Sequence, residues 1–215
     1  MLSFLGGTGP EGRGLALRFA LAGHPVTLGS RDAAKAHASA QELCALAPHA
    51  SISAAENSDA ARRGDIVFLT IPYDAQKPLL EQIGHHLAGK VVVNVIAPLI
   101  FEKGKGARAI AVPEGSAARQ SQLLLPQSQV VAAFQNLSAQ KLLASDKPMD
   151  GDVIVCSDHK EAKEKVMSLV SLIQNLRPID GGSLDNARYV EDLTALILNI
   201  NRRYKTNATI KILGV

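Results

Sequence analysis

The chain has 215 residues, of which 47% are hydrophobic and 20% are charged, and its formal net charge is +3 at pH 7. This balance indicates a globular protein of one large or two small domains, and it excludes a disordered chain. The small net charge and the aromatic content of 4%, without any Trp, exclude a nucleic-acid-binding protein that stacks bases.

The cysteines and the apolar runs of the sequence indicate the cellular compartment of the protein. Cys44 and Cys156 fit no metal-binding spacing, and we expect both to be buried free thiols in a reducing compartment. No signal-peptide pattern opens the chain, and no apolar run approaches the roughly 18 residues that span a bilayer. The sequence therefore predicts a cytoplasmic protein with no metal site and no membrane partner.

A β-α-β unit is predicted over about the first thirty residues. Leu2–Leu5 is a short apolar run typical of a buried strand, and a glycine-rich turn follows it. Pro10 lies where the first turn of a helix tolerates proline, and Gly23 ends that helix. Val26–Leu28 is the second strand.

Strands and helices continue to alternate along the next hundred or so residues, which are typical of an α/β chain. The predicted strands are Ser51–Ser53, Ile66–Ile71, Val91–Ile96 and Val130–Phe134, and the predicted helices are Ala33–Leu46, Gln76–Leu87 and Ser116–Leu124. The run IVFLTI is nearly continuously apolar and β-branched, as expected of a strand buried on both faces. This order predicts a Rossmann fold with a doubly wound, mostly parallel sheet.

A second, smaller α/β domain is predicted after the Pro- and Gly-containing segment 147–152. We place the domains at 1–148, which binds the dinucleotide, and 149–215, which completes the substrate cleft. The predicted elements of the smaller domain are Val153–Cys156, Glu161–Asn175, Arg177–Asp180 and Asn186–Asn201. The last of these is a helix that is apolar on more than one side, so we expect it to be buried, in part at a dimer interface.

The turn after the first strand matches the pattern G-x-G-x-x-G. Its residues are Gly7, Thr8, Gly9, Pro10, Glu11 and Gly12. Such glycines permit a tight turn, let the backbone approach a pyrophosphate and let helix and strand pack closely. The helix N-terminus then offers free N–H groups and a positive dipole end to the phosphates. Since the motif lies between a predicted strand and a predicted helix, it predicts a dinucleotide site.

The end of the second strand distinguishes NADP from NAD. An NAD site usually has Asp or Glu here, on the ribose 2′-hydroxyl, whereas this chain has Ser30 and Arg31. A hydroxyl and a guanidinium suit a 2′-phosphate, and Lys35 adds charge one helical turn later. We expect Asp32, the alternative acidic residue, to cap the helix that starts at Ala33. The sequence therefore favours NADP(H).

Four segments of the chain resemble the NADPH-dependent reductases of the deazaflavin coenzyme F420. They are FLGGTGPEGRGLALRFALAGHPVTLGSRD, DIVFLTIPY, VVAAFQNLSA and MSLVSLIQNLRPIDGGSLDNARYVEDLTALILNINRRY. The first is shared by many Rossmann enzymes, whereas the last is more particular. The resemblance implies an NADP-dependent oxidoreductase, a homodimer, that transfers hydride between NADP(H) and F420.

The resemblance also implies further site residues. Beyond the glycine loop and the 2′-phosphate corner, NADP would pass Ile71, Pro72, Tyr73, Ala97 and Leu99. The deazaflavin would bind at Gln135, Asn136, Ser138 and Ala139. Gln135 stands where archaeal members have His, and segment 205–209 differs from their glycine- and methionine-rich end. An acidic tail on the deazaflavin would meet the cationic residues of segment 202–205.

Two other functions use the same NADP site. One is a reductase of a small carbonyl or imine, a flavin or a metal; a carbonyl or imine would need a proton donor, for which Tyr73 or Lys141 are candidates. The other is a non-catalytic NADP-binding sensor. Since hydride transfer between two cofactors needs mainly their orientation, and a ring nitrogen can take its proton from water, the sequence assigns no catalytic residue.

Overall fold

A six-stranded parallel sheet lies at the centre of the protein, which the computed structural model describes over residues 1–215. The strands are β1 (Leu2–Leu5), β2 (Val26–Ser30), β3 (Ile52–Glu56), β4 (Ile66–Leu69), β5 (Val91–Asn94), β6 (Leu99–Glu102), β7 (Gly106–Ala109), β8 (Gln129–Ala132), β9 (Gly151–Val155) and β10 (Leu176–Asp180). The helices are α1 (Pro10–Leu21), α2 (Ala33–Leu46), α3 (Asn57–Arg63), α4 (Tyr73–Ile83), α5 (Ala117–Leu124), α6 (Ala139–Leu143), α7 (Lys160–Val170) and α8 (Ala187–Tyr204).

The strand order of the central sheet is β3-β2-β1-β4-β5-β8, which confirms the predicted doubly wound Rossmann architecture. The order reverses between β1 and β4, where Phe4 pairs with Leu28 on one side and with Phe68 on the other. In open parallel sheets a crevice forms at the carboxyl ends of the strands at such a reversal. The turns after β1 and β4 therefore mark the expected cleft.

The core beside β1 is built on four phenylalanines from different elements. Phe4 and Phe68 stack with ring centroids 4.6 Å apart, and Phe19 of α1 meets Phe134 edge to face at 6.1 Å. All four rings are fully buried, and the same apolar cluster continues into β9 and α7. The first and last thirds of the chain thus share one core, and the division at residue 148 stays a prediction.

The residues after 148 form a small parallel sheet, β9 and β10, at the edge of the central one. Cys156 exchanges two backbone hydrogen bonds with Ala132, which joins β9 to the end of β8. The C-terminal segment lies beside β9, where Asp152 donates its N–H to Ile210. The buried Asp152 carboxylate also receives a bidentate pair from Arg177 at 2.8–2.9 Å. No helix is both long and apolar enough to cross a membrane.

Three strands are shorter than predicted. The predictions were too long because buried apolar residues continue beyond the last strand-to-strand hydrogen bonds. β4 ends at Leu69, β5 at Asn94 and β8 at Ala132, although apolar residues follow each of them. Ile96 and Phe134 are 4% and 0% exposed, because the smaller sheet and α8 cover the carboxyl edge of the central sheet. The run of apolar residues therefore indicates burial at these positions, and burial alone does not distinguish a strand from a covered loop.

The predictions also missed or misplaced several helical elements. The helix α7 ends at Val170 rather than at residue 175, and α4 starts three residues earlier than predicted. The short helices α3 and α6 and the antiparallel hairpin of β6 and β7 were not predicted. α3 is rich in polar and charged residues, each strand of the hairpin spans only four residues and α6 spans five, so none is long enough or apolar enough to present a clear period.

Within one chain the last helix is buried on one face and exposed on the other, and the dimer interface expected to cover the exposed face stays a prediction. α8 buries Val190, Thr194 and Ile197, whereas Leu196 is 56% exposed and Tyr189 is 64% exposed. The expectation for the thiols is correct only in part, since both are free but Cys44 is half-buried.

Candidate dinucleotide and hydride-transfer site

Close packing beneath the loop between β1 and α1 requires glycine at three of its positions. Gly6 has a φ of +73°, and a side chain there would strike Ile71. A Cβ on Gly7 would lie 2.8 Å from the Phe4 carbonyl oxygen, and one on Gly12 would lie 2.6 Å from Thr70 Oγ1. These three glycines are therefore required by the fold itself, with no ligand present.

Gly9 is the exception in this loop. A Cβ built on it would meet no heavy atom closer than 3.5 Å, so no part of the chain demands a glycine here. Gly9 is also the N-cap of α1, which no side chain caps, and the helix ladder begins when Arg13 donates to the Gly9 carbonyl. The open space and the uncapped N-terminus fit an approaching anion, as the pyrophosphate of a dinucleotide would be.

Two side chains that the sequence patterns did not reveal brace this loop. Asn57, 6% exposed at the start of α3, accepts the Gly6 N–H at 3.2 Å. Thr70, just after β4, donates to the Leu5 carbonyl at 2.9 Å. Both lie next to strand ends that the sequence places in the crevice, and this position was the one signal that could have found them.

A cationic corner, formed by Ser30, Arg31 and Lys35, follows β2. Ser30 is 7% exposed and accepts the Asp32 N–H at 3.2 Å, and the Asp32 carboxylate caps α2 by accepting from the N–H groups of Ala34 and Lys35. The predicted cap is confirmed, so Asp32 is committed to the helix. Arg31 and Lys35 are exposed and form no ion pair within the chain. Their charges are free for a phosphate.

A cavity joins the loop to this corner. It has a volume of about 630 Å³. The predicted NADP residues that line it are Thr8, Gly9, Ser30, Arg31, Lys35, Ile71 and Pro72. Residues that the sequence did not assign to NADP also line it, namely Gly6, Asp32, Asn57, Thr70, Asp74, Ala75, Pro78, Leu79 and Gln82. The α4 side of the cavity was therefore missed.

The other predicted NADP residues lie outside this lining. Gly7 and Gly12 pack underneath the loop, and Pro10 and Glu11 form the first turn of α1. Tyr73 begins α4 and its hydroxyl accepts Gln120 Nε2 at 3.3 Å. The remaining two, Ala97 and Leu99, follow β5 and lead into the hairpin.

The predicted deazaflavin segment follows β8 and is more buried than expected of a binding surface. Gln135 and Asn136 are 6% and 3% exposed, and their amide nitrogens donate to the carbonyls of Asn94 and Asp152. The side-chain oxygen of each is buried and has no partner. Ser138 caps α6, which begins at Ala139. Two orphaned acceptors in one segment fit a ligand with N–H or O–H groups.

Buried amides connect this segment to α4 and α5. Asn94, at the end of β5, donates to Gln76 Oε1 and Ser121 Oγ at 2.8 and 2.9 Å, and its Oδ1 accepts the Ile96 N–H. Gln76 in turn donates to Gln120. This network fixes the turn that leads from β5 to Ala97, so the backbone at the carboxyl edge of β5 is rigid.

Two carboxyl groups have raised pKa values, that of the half-buried Glu11 and that of the buried Glu191. Burial raises the pKa of Glu11 to about 8, and its Oε1 has no hydrogen-bond partner. Burial likewise raises the pKa of Glu191 on α8 to about 7, although this carboxyl accepts the N–H groups of Ala117 and Ala118 at 2.8 and 3.1 Å. Glu191 thereby joins α8 to the N-terminus of α5.

The comparisons with known proteins agree over nearly the whole chain. A family model described as NADP oxidoreductase coenzyme F420-dependent matches residues 1–98. The F420-dependent NADP reductase of Methanothermobacter thermautotrophicus is 41% identical over 98% of this chain and 94% of its own length. That of Methanocaldococcus jannaschii is 38% identical over 97% and 95%. A crystal structure from Arthrobacter sp. FB24, provisionally described as an F420-dependent NADP reductase, has a TM-score of 0.80 at 25% identity, with 99% of each chain covered. The chain therefore belongs to the family of F420-dependent NADP reductases.

Proposed function

We propose that this protein is an NADP-dependent oxidoreductase that transfers hydride between NADP(H) and the deazaflavin coenzyme F420. The observation that carries the proposal is the full-length similarity to two F420-dependent NADP reductases at 38–41% identity. The cleft supports it independently, because a glycine loop with an uncapped helix and two unpaired cations line one cavity.

NADP(H) binds along the carboxyl edge of the central sheet. The pyrophosphate lies against Gly9 and the first turn of α1, where free N–H groups and the helix dipole stabilise negative charge. The 2′-phosphate lies between Ser30, Arg31 and Lys35, and the guanidinium suits it as a bidentate donor. The nicotinamide lies beyond the pyrophosphate, on the side away from the 2′-phosphate, so these two contacts fix the direction in which it extends.

The nicotinamide end runs past the turns after β4 and β5. Ile71 and Pro72 follow β4, and Ala97 and Leu99 follow β5. The buried Asn94 network holds the second turn in place. A rigid backbone here keeps one face of the ring towards the second substrate, which is the orientation that hydride transfer requires.

The deazaflavin occupies the segment from Gln135 to Ala139. The unpartnered amide oxygens of Gln135 and Asn136 accept hydrogen bonds from its ring edge. The redox chemistry itself is supplied by the two ring systems when bound. The chain binds and orients both rings and excludes water, with the reacting carbons about 3–3.5 Å apart.

One assay tests this function. The protein is mixed with NADPH and oxidised F420, and the visible absorbance of the deazaflavin is followed. We expect it to disappear as F420 is reduced, and the same protein to form NADPH from NADP⁺ and reduced F420. Demonstrated NADPH binding without turnover in either direction would refute the proposal.

Three further features belong to this proposal. We propose a homodimer, supported by the exposed apolar side chains on α8 and the hairpin, including Leu196, Ile100 and Phe101. We also propose that residues 149–215 act as the smaller domain that closes the cleft over 1–148. The cytoplasmic location, expected from two free cysteines, completes the proposal.

A further inference from the structure

Gln135 is held from two sides by hydrogen bonds that lead into different parts of the fold. On one side, its Nε2 donates to the Asn94 carbonyl at 3.0 Å, and Asn94 Nδ2 donates to Gln76 Oε1 of α4 at 2.8 Å. On the other side, Thr194 Oγ1 of α8 donates to the Gln135 carbonyl at 3.1 Å. Both the side chain and the backbone of Gln135 are therefore fixed.

Glu191 joins these two sides. Gln76 Nε2 donates to the Ala117 carbonyl at 3.0 Å, and the N–H of Ala117 donates to Glu191 Oε2 at 2.8 Å. Glu191 lies three residues before Thr194 on α8, so both side chains are on one face of that helix. The hydrogen bonds thus form a closed circuit, completed by one turn of α8. The members of this Gln135 circuit are Gln135, Asn94, Gln76, Ala117, Glu191 and Thr194.

Backbone groups fix the orientation of each amide in the Gln135 circuit. The Asn94 carbonyl can only accept, so the nitrogen of Gln135 faces it. The Ala117 carbonyl orients Gln76 in the same way. The Ile96 N–H orients Asn94 by donating to its Oδ1. Gln135 Oε1 is therefore committed to accepting, and it has no partner although its side chain is 6% exposed.

The circuit requires Glu191 as a carboxylate. One of its oxygens accepts the Ala117 N–H, and the other accepts the Ala118 N–H at 3.1 Å. A protonated carboxyl group would turn its O–H towards one of these two donors, so one hydrogen bond to α5 would be lost. Burial raises the pKa of Glu191 to about 7, so this loss occurs as the pH falls below neutrality.

Other titratable and charged groups surround Glu191. They are Arg188 and Asp192 on α8, Asp185 just before it, Arg119 on α5, Glu114 just before α5, and Cys156 after β9. Asp192 raises the pKa of Glu191 further, and burial keeps the Cys156 thiol neutral by raising its pKa to about 11. The arginines are cationic throughout. Glu191 is therefore the group whose raised pKa brings a change of charge near pH 7.

We propose that Glu191 is a positioning residue for the second substrate: by closing the Gln135 circuit, it holds Gln135 Oε1 where an N–H of the deazaflavin donates to it. The proposal rests on the proposed function. Glu191 acts through α5 and Gln135 rather than by contact with the deazaflavin, and the site binds the deazaflavin more tightly when Glu191 is ionised. The glycine loop and the cationic corner contribute no member to the circuit, so NADP(H) affinity does not depend on it.

The first test measures binding without turnover. Oxidised F420 is titrated into protein saturated with NADP⁺, a pair that cannot react because both are oxidised, and deazaflavin fluorescence gives the Kd at pH 5.5 and pH 8.5. The amide of Glu191→Gln turns its NH₂ towards one backbone N–H and so resembles the protonated acid. We expect this variant to raise the Kd about 10-fold at pH 8.5 and less than about 2-fold at pH 5.5.

The comparison contains its own controls. Since variant and wild type are compared at the same pH, ionisation of the deazaflavin itself affects both proteins alike. Glu164→Gln, which removes an exposed carboxylate on α7, should match the wild type at both pH values. The Kd for NADPH, measured by nicotinamide fluorescence, should stay within about 2-fold of the wild type in every variant. A general loss of structure would weaken both ligands.

The second test asks whether Glu191 acts through Gln135. In Gln135→Ala the acceptor is gone, so adding Glu191→Gln should not raise the Kd for F420 further. The ratio of the Gln135→Ala Kd to the wild-type Kd should also be larger at pH 8.5 than at pH 5.5, because the wild type loses the ordered acceptor at low pH. This ratio tests the proposal even if Glu191→Gln does not fold.

Three results would overturn the positioning role of Glu191. They are equal effects of Glu191→Gln at both pH values, additive losses in the double variant, and a loss of NADPH affinity as large as that of F420. For a Glu191→Gln variant that does not fold, a Gln135→Ala ratio that is the same at both pH values would do so. A wild type that binds NADPH but neither binds nor reduces F420 refutes the proposed function instead.

Discussion

Gly9 and Gly12 have the same side chain for different reasons. A methyl group on Gly9 has room within the chain, whereas one on Gly12 would lie 2.6 Å from Thr70 Oγ1 and 2.8 Å from Gly7 Cα. The need for glycine at position 9 therefore comes from the ligand, and the need at position 12 comes from the fold.

The first prediction separates these two roles. We expect Gly9→Ala to leave the melting temperature unchanged and to raise the Kd for NADPH at least 10-fold, because the methyl group occupies the space of the pyrophosphate. We expect Gly12→Ala to lower the free energy of unfolding by about 1–3 kcal/mol through overpacking. Thermal unfolding and NADPH fluorescence titration measure both, and unaltered NADPH affinity in Gly9→Ala would contradict the assignment.

A second prediction concerns the 2′-phosphate. Arg31→Ala should raise KM for NADPH by about 10-fold or more and leave KM for NADH nearly unchanged, since a charged hydrogen bond contributes about 1.5–3 kcal/mol. The matched control is Arg63→Ala, another exposed arginine without an ion pair, at the end of α3. Steady-state kinetics with both dinucleotides provide the measurement. Equal effects on NADPH and NADH would refute the role of Arg31.

At the scale of elements, α6 depends on one side chain of α1. Arg18 is 8% exposed, and it donates to the carbonyl groups of Lys141, Leu142, Ala144 and Lys147 at 2.7–2.9 Å. These carbonyls lie at and just beyond the C-terminal end of α6, where the last carbonyl groups of a helix have no N–H donor within the helix itself. A five-residue helix is thereby held in place by its neighbour.

The third prediction follows from this contact. Arg18→Leu leaves several carbonyl groups without a donor, so we expect a loss of about 2–4 kcal/mol in the free energy of unfolding. Hydrogen exchange should rise locally over residues 139–147. The control is Arg13→Leu, whose partner Glu42 is half exposed and whose loss should cost less than about 1 kcal/mol. Similar losses in both variants would contradict the role of Arg18.

The elements also show what sequence periodicity can predict. The β-α-β unit, the cap at Asp32 and the alternation of strands and helices followed from residue pattern, because each depends on neighbours in the chain. The hairpin of β6 and β7 did not, because it is held by α8: Asn199 exchanges two hydrogen bonds with the backbone of Ala107. Contacts between distant segments leave no local period.

At the scale of the whole molecule, two carboxyl groups with raised pKa values contribute to the response to pH. The pKa of Glu191 is about 7 and that of Glu11 about 8 in the folded protein, against 4.5 as the ordinary value. The folded state therefore binds more protons than the unfolded state between those values, and stability falls as the pH rises. Arg177 lowers the pKa of Asp152, so this aspartate has the opposite effect, and its contribution is lost at acid pH.

The fourth prediction is a loss of stability between pH 5 and pH 8. Glu191 is 2% exposed, and its raised pKa corresponds to a loss on the order of 3 kcal/mol across this range. Glu191→Gln should flatten the slope of unfolding free energy against pH, whatever its absolute stability. Glu164→Gln, on the surface of α7, should keep the slope. Urea unfolding at several pH values measures it, and an unchanged slope in Glu191→Gln would refute the assignment.

The sequence by itself determined the class of fold, the dinucleotide loop and the preference for NADP, since these depend on local patterns at strand ends. The similarity of the last segments to a known family determined the second substrate. Only the tertiary structure decided which glycines serve the fold, that Asn57 and Thr70 brace the loop, and that Glu191 is buried against the N-terminus of α5. The physical reason is that burial and contact between residues far apart in the chain set the pKa of a carboxyl group and the space around a backbone atom, and no short stretch of sequence contains that information.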